Sequence, residues 1–148
     1  MSDLADLEDR AFVVPRDQLE SAWPTIADIV SRVTDVSWTL EDLKADLADG
    51  SAQAWGMREG REVRCVLVTR VESAFGERYG LLWIAAGSGI VEGMRLFREY
   101  IEPWFFDDQD CSRIEIQGRR GWARLLQDYE ERAVVLSKYR PGRPSKVH

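Results

Sequence analysis

The stretch Tyr79–Phe106, Y-G-L-L-W-I-A-A-G-S-G-I-V-E-G-M-R-L-F-R-E-Y-I-E-P-W-F-F, decides how the rest of the chain is read. Tyr79–Ala86 is an apolar run of strand length, Gly87-Ser88-Gly89 is a turn, and Ile90, Met94, Phe97, Ile101 and Phe105 recur at the spacing of one helical face. A strand that passes through glycines into a helix leaves free amides at the helix start, where α/β proteins hold anionic groups such as a cofactor pyrophosphate. Gly87, Ser88 and Gly89 are therefore the candidate cofactor-binding residues.

Upstream, Ala11–Pro15 is a short apolar run closed by proline, the pattern of an edge strand. Asp17 and Glu20 have capping-box spacing at the start of a helix over Asp17–Val33, and Pro24 within it predicts a kink or a helix in two pieces. Thr39 caps a second helix with a Leu40, Leu43, Leu47 stripe that Gly50 ends. The period then changes to that of strands. Gln53–Met57 and Glu62–Val71 form a hairpin in which Val63, Cys65, Leu67 and Thr69 share one face, and Val66 and Val68 on the other face imply cover from both sides. A turn over Glu72–Glu77 leads back to Tyr79–Ala86, completing an antiparallel meander. Downstream, Ser112–Gln117 reads as a strand, Gly118–Asp128 as a short helix and Glu131–Tyr139 as a last strand. The chain is thus α/β (α+β), a mixed, largely antiparallel sheet of about six strands with helices on both faces.

The 148 residues suffice for one core, with residues 1–139 as the domain, residues 1–10 as an acidic arm and residues 140–148 as a basic, proline-rich tail. Six tryptophans exceed what a small domain needs for packing and point to an interface. Cys65 and Cys111, each assigned to a strand, have neither CxxC spacing nor a histidine neighbour and read as buried thiols in a reducing compartment. The single histidine, His148, excludes a histidine-based triad or zinc site within the fold. A net charge of −6 excludes a domain-wide nucleic-acid surface, which confines any such contact to the tail, where Gly142-Arg143-Pro144 matches the core of a minor-groove motif. No apolar run approaches the ~20 residues of a membrane helix. The chain reads as soluble and intracellular, with no membrane and no metal partner.

The order of elements resembles the Gcn5-related N-acetyltransferase (GNAT) fold over nearly the whole chain. The closing pattern C-S-R-I-E-I-Q-G-R-R-G-W-A-R-L-L-Q-D-Y, followed by A-V-V-L-S-K-Y, resembles acetyltransferase-like proteins of tailed bacteriophages. The first resemblance implies an acetyl-CoA loop of the form Gln/Arg-x-x-Gly-x-Gly/Ala. Ile84–Gly89 keeps its two glycines but has Ile84 at the Gln/Arg position and no loop residues before Gly87. It also implies an Asn closing the fifth strand and a Tyr acting as general acid, positions that here carry Gln117 and Arg124. An arginine does not release a proton near neutral pH. Glu115, and less so Glu92, stand where a general base is needed.

The resemblance therefore implies one of two functions. In the favoured one, a catalytically degenerate GNAT-fold protein serves as a structural, internal or assembly component of a phage particle, made in the host cytoplasm, with other particle proteins as partners and no cofactor. In the alternative, an acetyl-CoA-dependent N-acetyltransferase modifies a small-molecule or protein amine, with Glu115 catalytic. The candidate partner contacts are Trp104, Phe105, Phe106, Arg119, Arg120 and Arg143. Three successive aromatics point in three directions, so at least one of them must be exposed or covered by a partner.

Overall fold

The computed structural model describes residues 10–33, 38–116, 128–130, 138 and 140–141. The chain divides into two compact units, Met1–Ile116 and Gln117–His148. Only a few residues of the second unit are described. The helix expected over Gly118–Asp128 and the strand over Glu131–Tyr139 lie almost wholly outside them, as do Gln117, Arg119, Arg120, Arg124 and Arg143.

The first unit is a five-stranded sheet in sequential order: β1 (Ala11–Val13), β2 (Ala52–Glu59), β3 (Glu62–Ala74), β4 (Glu77–Gly87) and β5 (Arg113–Ile116). The first four strands are antiparallel neighbours, while β5 runs parallel to β4. A parallel neighbour needs a crossover. Here it is a helical segment that begins as α3 (Ile90–Leu96) and continues through wider π-type turns over Phe97–Ile101 and Trp104–Asp108. The wide turns suit the sequence. Phe97, Ile101 and Phe105 are spaced by four, which overshoots a 3.6-residue turn, and the wider winding returns all three to one face, where each is fully buried.

The opposite face of the sheet carries α1 (Leu19–Val30) and α2 (Leu40–Asp49). Leu19, Ile26, Ile29 and Val30 from α1 and Leu43 and Leu47 from α2 meet Ala52, Ala54, Val66, Val68, Ile84 and Ala86 of the strands in one core. Residues 65–69 of β3 are all buried, as a strand covered on both faces requires. The one buried polar residue in that run, Thr69, accepts from the Trp55 indole at 2.9 Å and donates to the Gln53 amide oxygen at 2.9 Å.

Thr39 caps α2 as the sequence indicates, in a full capping box. Its hydroxyl accepts from the Asp42 amide at 3.1 Å and the Asp42 carboxylate accepts from the Thr39 amide at 3.3 Å. Gly50 ends the helix at φ 88°. The start of α1 differs from expectation: Arg16–Gln18 form a separate 3-10 turn and no side chain caps α1. Pro24 does not split the helix, because the carbonyl it leaves without a donor is that of exposed Glu20 near the helix start, where water can serve it. The β2–β3 ladder shifts register between Met57 and Arg58, so that Met57 pairs with Cys65 but Arg58 with Val63. This bulge turns Val63 away from the face of Cys65, Leu67 and Thr69 and onto the α1 and α2 core.

Candidate functional site

The strand-to-helix turn is built by contact with β3. Gly87 has φ 108°, and a Cβ on it would lie 2.3 Å from the Arg64 carbonyl oxygen, so only glycine permits this approach. The approach lets the Ser88 amide donate to that carbonyl at 2.8 Å. Gly89, at φ 75°, stands at the N-cap of α3 with no side-chain cap. The Glu92 carboxylate folds back towards it, 3.2 Å from where a Gly89 Cβ would be. A carboxylate in a helix's first turn is favoured by the helix dipole. A pyrophosphate arriving here would meet that carboxylate and one amide fewer than the turn's length suggests. As arranged, the turn is a poor match for a pyrophosphate.

Beside this turn lies a cavity of about 60 Å³ lined by Arg10, Met57, Glu59, Arg64, Cys65, Gly89 and Glu92. Burial pushes the Cys65 thiol above its ordinary pKa and Glu92 adds to this, against a backbone hydrogen bond at Met57 and the charge of Arg10. Such a thiol is inert rather than nucleophilic. Cys65 and Cys111 are both free and buried. Cys111 lies just ahead of β5 instead of within it, its amide donating to the Phe105 carbonyl at 2.9 Å.

Glu115 pairs across the sheet with Leu81 and lies on the same face as Arg113 and Tyr79. The Arg113 guanidinium donates to Glu115 at 3.1 Å and to Glu77 at 2.6 Å, and sits 4.3 Å above the Tyr79 ring. A proton-abstracting role for Glu115 thus starts from a carboxylate already bound to a cation.

Further along this face is a second charged cluster, which the sequence reading missed. Arg70 of β3 bridges Asp46 of α2 at 2.5 Å and Glu72 at 2.7 Å, with its guanidinium 4.9 Å from the Trp83 ring. Desolvation lowers the Arg70 pKa, but the hydrogen bonds it donates to Glu72 and Asp46 outweigh this and hold the group more firmly charged. Trp83 in turn packs edge-on against buried Trp38, centroids 6.0 Å apart. In the sequence Arg64 and Arg70 do no more than flank the apolar run between them, which does not say what those arginines meet. The pairing of β4 with β5 ends at Leu82 opposite Ile116, the last described residue of β5, so Trp83–Gly87, which β3 flanks on one side, have no partner strand on the other among the described residues.

Of the aromatic trio, only Phe106 is exposed, at 45%. Phe105 is fully buried against Gly80, which removes it from the candidate contact surface, and half-buried Trp104 packs on Trp55, centroids 5.2 Å apart. Trp23, Trp38, Trp55, Trp83 and Trp104 are all buried or half-buried, so the tryptophan excess is absorbed by packing among the described residues. Among those residues no group of three His, Cys, Asp or Glu side chains could hold a metal ion, and no helix is long and apolar enough to cross a membrane.

No family model matches the sequence, and no curated protein matches it. Solved structures do. An aminoglycoside acetyltransferase from an uncultured soil metagenomic sample, in complex with sisomicin, superposes with a TM-score of 0.65 at 12% identity, covering 90% of this chain and 98% of that one. The chain has the GNAT fold. A GCN5-related N-acetyltransferase from Ralstonia eutropha superposes at TM-score 0.57 with 16% identity, covering 89% of this chain and 98% of that one. A ribosomal-protein-alanine N-acetyltransferase from Brucella melitensis biovar Abortus gives 0.58 and 12%, covering 87% and 99%. At such identities the GNAT likeness is one of fold, and function has to be argued from the site.

Proposed function

We propose that this GNAT-fold chain does not carry out acetyl transfer in the family's manner and serves instead as a non-catalytic component of a larger protein assembly. The observation that carries this reading is the turn at Gly87–Gly89. The Ser88 amide is held by the Arg64 carbonyl, and Glu92 stands at the helix start where the family places a pyrophosphate. Arg124 at the position of the family's acid, and Glu115 held by Arg113, support it. That the assembly is a tailed-phage particle rests on the sequence patterns of Cys111–Tyr129 and Ala133–Tyr139 alone. Of the trio Trp104–Phe106, Phe106 is the exposed aromatic available to a particle protein, with Arg119, Arg120 and the tail residue Arg143 as proposed further contacts.

The alternative, an acetyl-CoA-dependent N-acetyltransferase acting on a small-molecule or protein amine, draws support from the acetyltransferases that share the fold. In it, Glu115 would abstract the amine proton, and Gly87, Ser88 and Gly89 would hold the cofactor. Isothermal titration with acetyl-CoA and CoA separates the two. No heat of binding is expected. Micromolar binding that Gly89→Glu abolishes would overturn the non-catalytic reading. Mass spectrometry of purified particles tests the assembly assignment independently of the cofactor.

A further inference from the structure

The β3–β4 hairpin ends in a feature that folding does not explain. Ala74 pairs with Glu77, leaving Phe75-Gly76 as a two-residue turn with φ 53° and φ 80°, the type I′ geometry normally given to Asn, Asp or Gly. Phe75 holds this left-handed conformation while its side chain is wholly exposed, at 106%. It is thus an aromatic at a strained position with no described residue of its own chain against it. On its β3 side the hairpin projects, because β2 begins at Ala52, opposite Arg70, and Val71–Ala74 run on past it, while Gln109, Ser112 and Arg113 brace the β4 side at Arg78 and Glu77. Four residues at ~3.4 Å each carry the tip roughly 14 Å beyond β2.

At that same end of the sheet, beside the start of β2, is a cavity of about 210 Å³. Its walls include Val13, Pro15, Leu19, Leu47, Ala52 and Ala54, of which Val13 is 49% exposed and Pro15 is exposed as well. An apolar cavity of ~150 Å³ takes up a benzene molecule, so this one has room for a phenylalanine ring. Arg16 also lines it, with the plane of its guanidinium fixed by two hydrogen bonds to the Ala48 carbonyl at 3.1 and 2.8 Å. A fixed guanidinium favours an aromatic occupant over an aliphatic one.

We propose that Phe75 inserts into this cavity on a second copy of the chain, and that the second copy returns the contact. Knob and socket lie at one end of one sheet, so a two-fold axis in front of that end satisfies both at once and closes the assembly as a dimer instead of a filament. The inference does not depend on the outcome of the acetyl-CoA titration.

Sedimentation equilibrium on the full chain tests it. The wild type is expected to dimerise with rising concentration. Phe75→Asn removes the knob with a residue suited to the turn, and Val13→Glu charges the socket mouth at an exposed position; each is expected to weaken dimerisation at least ~10-fold. An equimolar mixture of the two variants retains one intact knob and one intact socket, and should associate more tightly than either variant does with itself. A wild type monomeric up to ~1 mM, a Phe75→Asn or Val13→Glu chain that dimerises like the wild type, or a mixture of folded variants that stays monomeric would each overturn the proposal.

Discussion

Gly80→Ala should destabilise this protein although it replaces glycine in a strand. Gly80 lies within β4, opposite Val71 on one side and Ile114 on the other. Placing alanine there favours the strand by about 0.5–1 kcal/mol, because glycine loses more backbone freedom on folding. Against this, the new Cβ would lie 2.4, 2.5 and 2.6 Å from Cδ1, Cγ and Cε1 of Phe105, where ordinary contact begins near 3.4 Å. The ring must therefore retreat by roughly 1 Å, and overpacking of that kind costs about 1–3 kcal/mol. It has little room to do so, since Phe105 is fully buried and packs on Trp104, centroids 5.1 Å apart. The clash wins, leaving a net loss of about 1–2 kcal/mol, or a fall in Tm of roughly 3–8 °C for a chain of this size. Urea denaturation of Gly80→Ala, Phe105→Leu and the double variant measures the coupling. The smaller, flexible leucine should accept the new methyl, giving a favourable interaction of at least ~1 kcal/mol. Additive effects, or a Gly80→Ala chain more stable than wild type, would refute the contact.

Two further outcomes follow from local structure. Thr39→Ala removes the hydroxyl that caps α2 and should cost about 1 kcal/mol, with Thr39→Ser close to wild type, as read by chemical denaturation. Because burial raises the Cys65 thiol, the native state holds its proton more tightly than the unfolded state does. That contribution to stability is fully present below the unfolded thiol's pKa of about 8.5 and is lost as pH rises beyond it. Stability of a Cys65→Ala variant should accordingly fall less than that of the wild type between neutral and alkaline pH, and Ellman's reagent should label Cys65 only on unfolding.

The parts of the fold legible in the sequence are those that local chemistry fixes. Thr39 with Asp42 and Gly50 bound α2 because caps answer to groups within one turn. The alternation along β2, β3 and β4 exposes the meander because the strands neighbour each other in sequence. Local pattern fails wherever the deciding group is distant. The bulge opposite Met57 that turns Val63 to the other face is set by pairing between two strands, and no residue of β3 announces it. The trio Trp104–Phe106 reads as a uniform aromatic patch, yet Gly80, far away in sequence, is what receives Phe105 and leaves Phe106 outside.

The site divides the same way. By itself the sequence determined that a strand runs through Gly87 and Gly89 into a helix, and that the single histidine stands at the last residue, His148. Those are matters of residue type and spacing, visible in one dimension. Tertiary structure alone decided that the Arg64 carbonyl takes the Ser88 amide, that Arg113 holds Glu115, and that Arg70 ties α2 to β3 beneath Trp83. Each joins groups on different elements or different strands. A hydrogen bond or ion pair depends on separations of about 3 Å, which the order of residues along the chain does not contain.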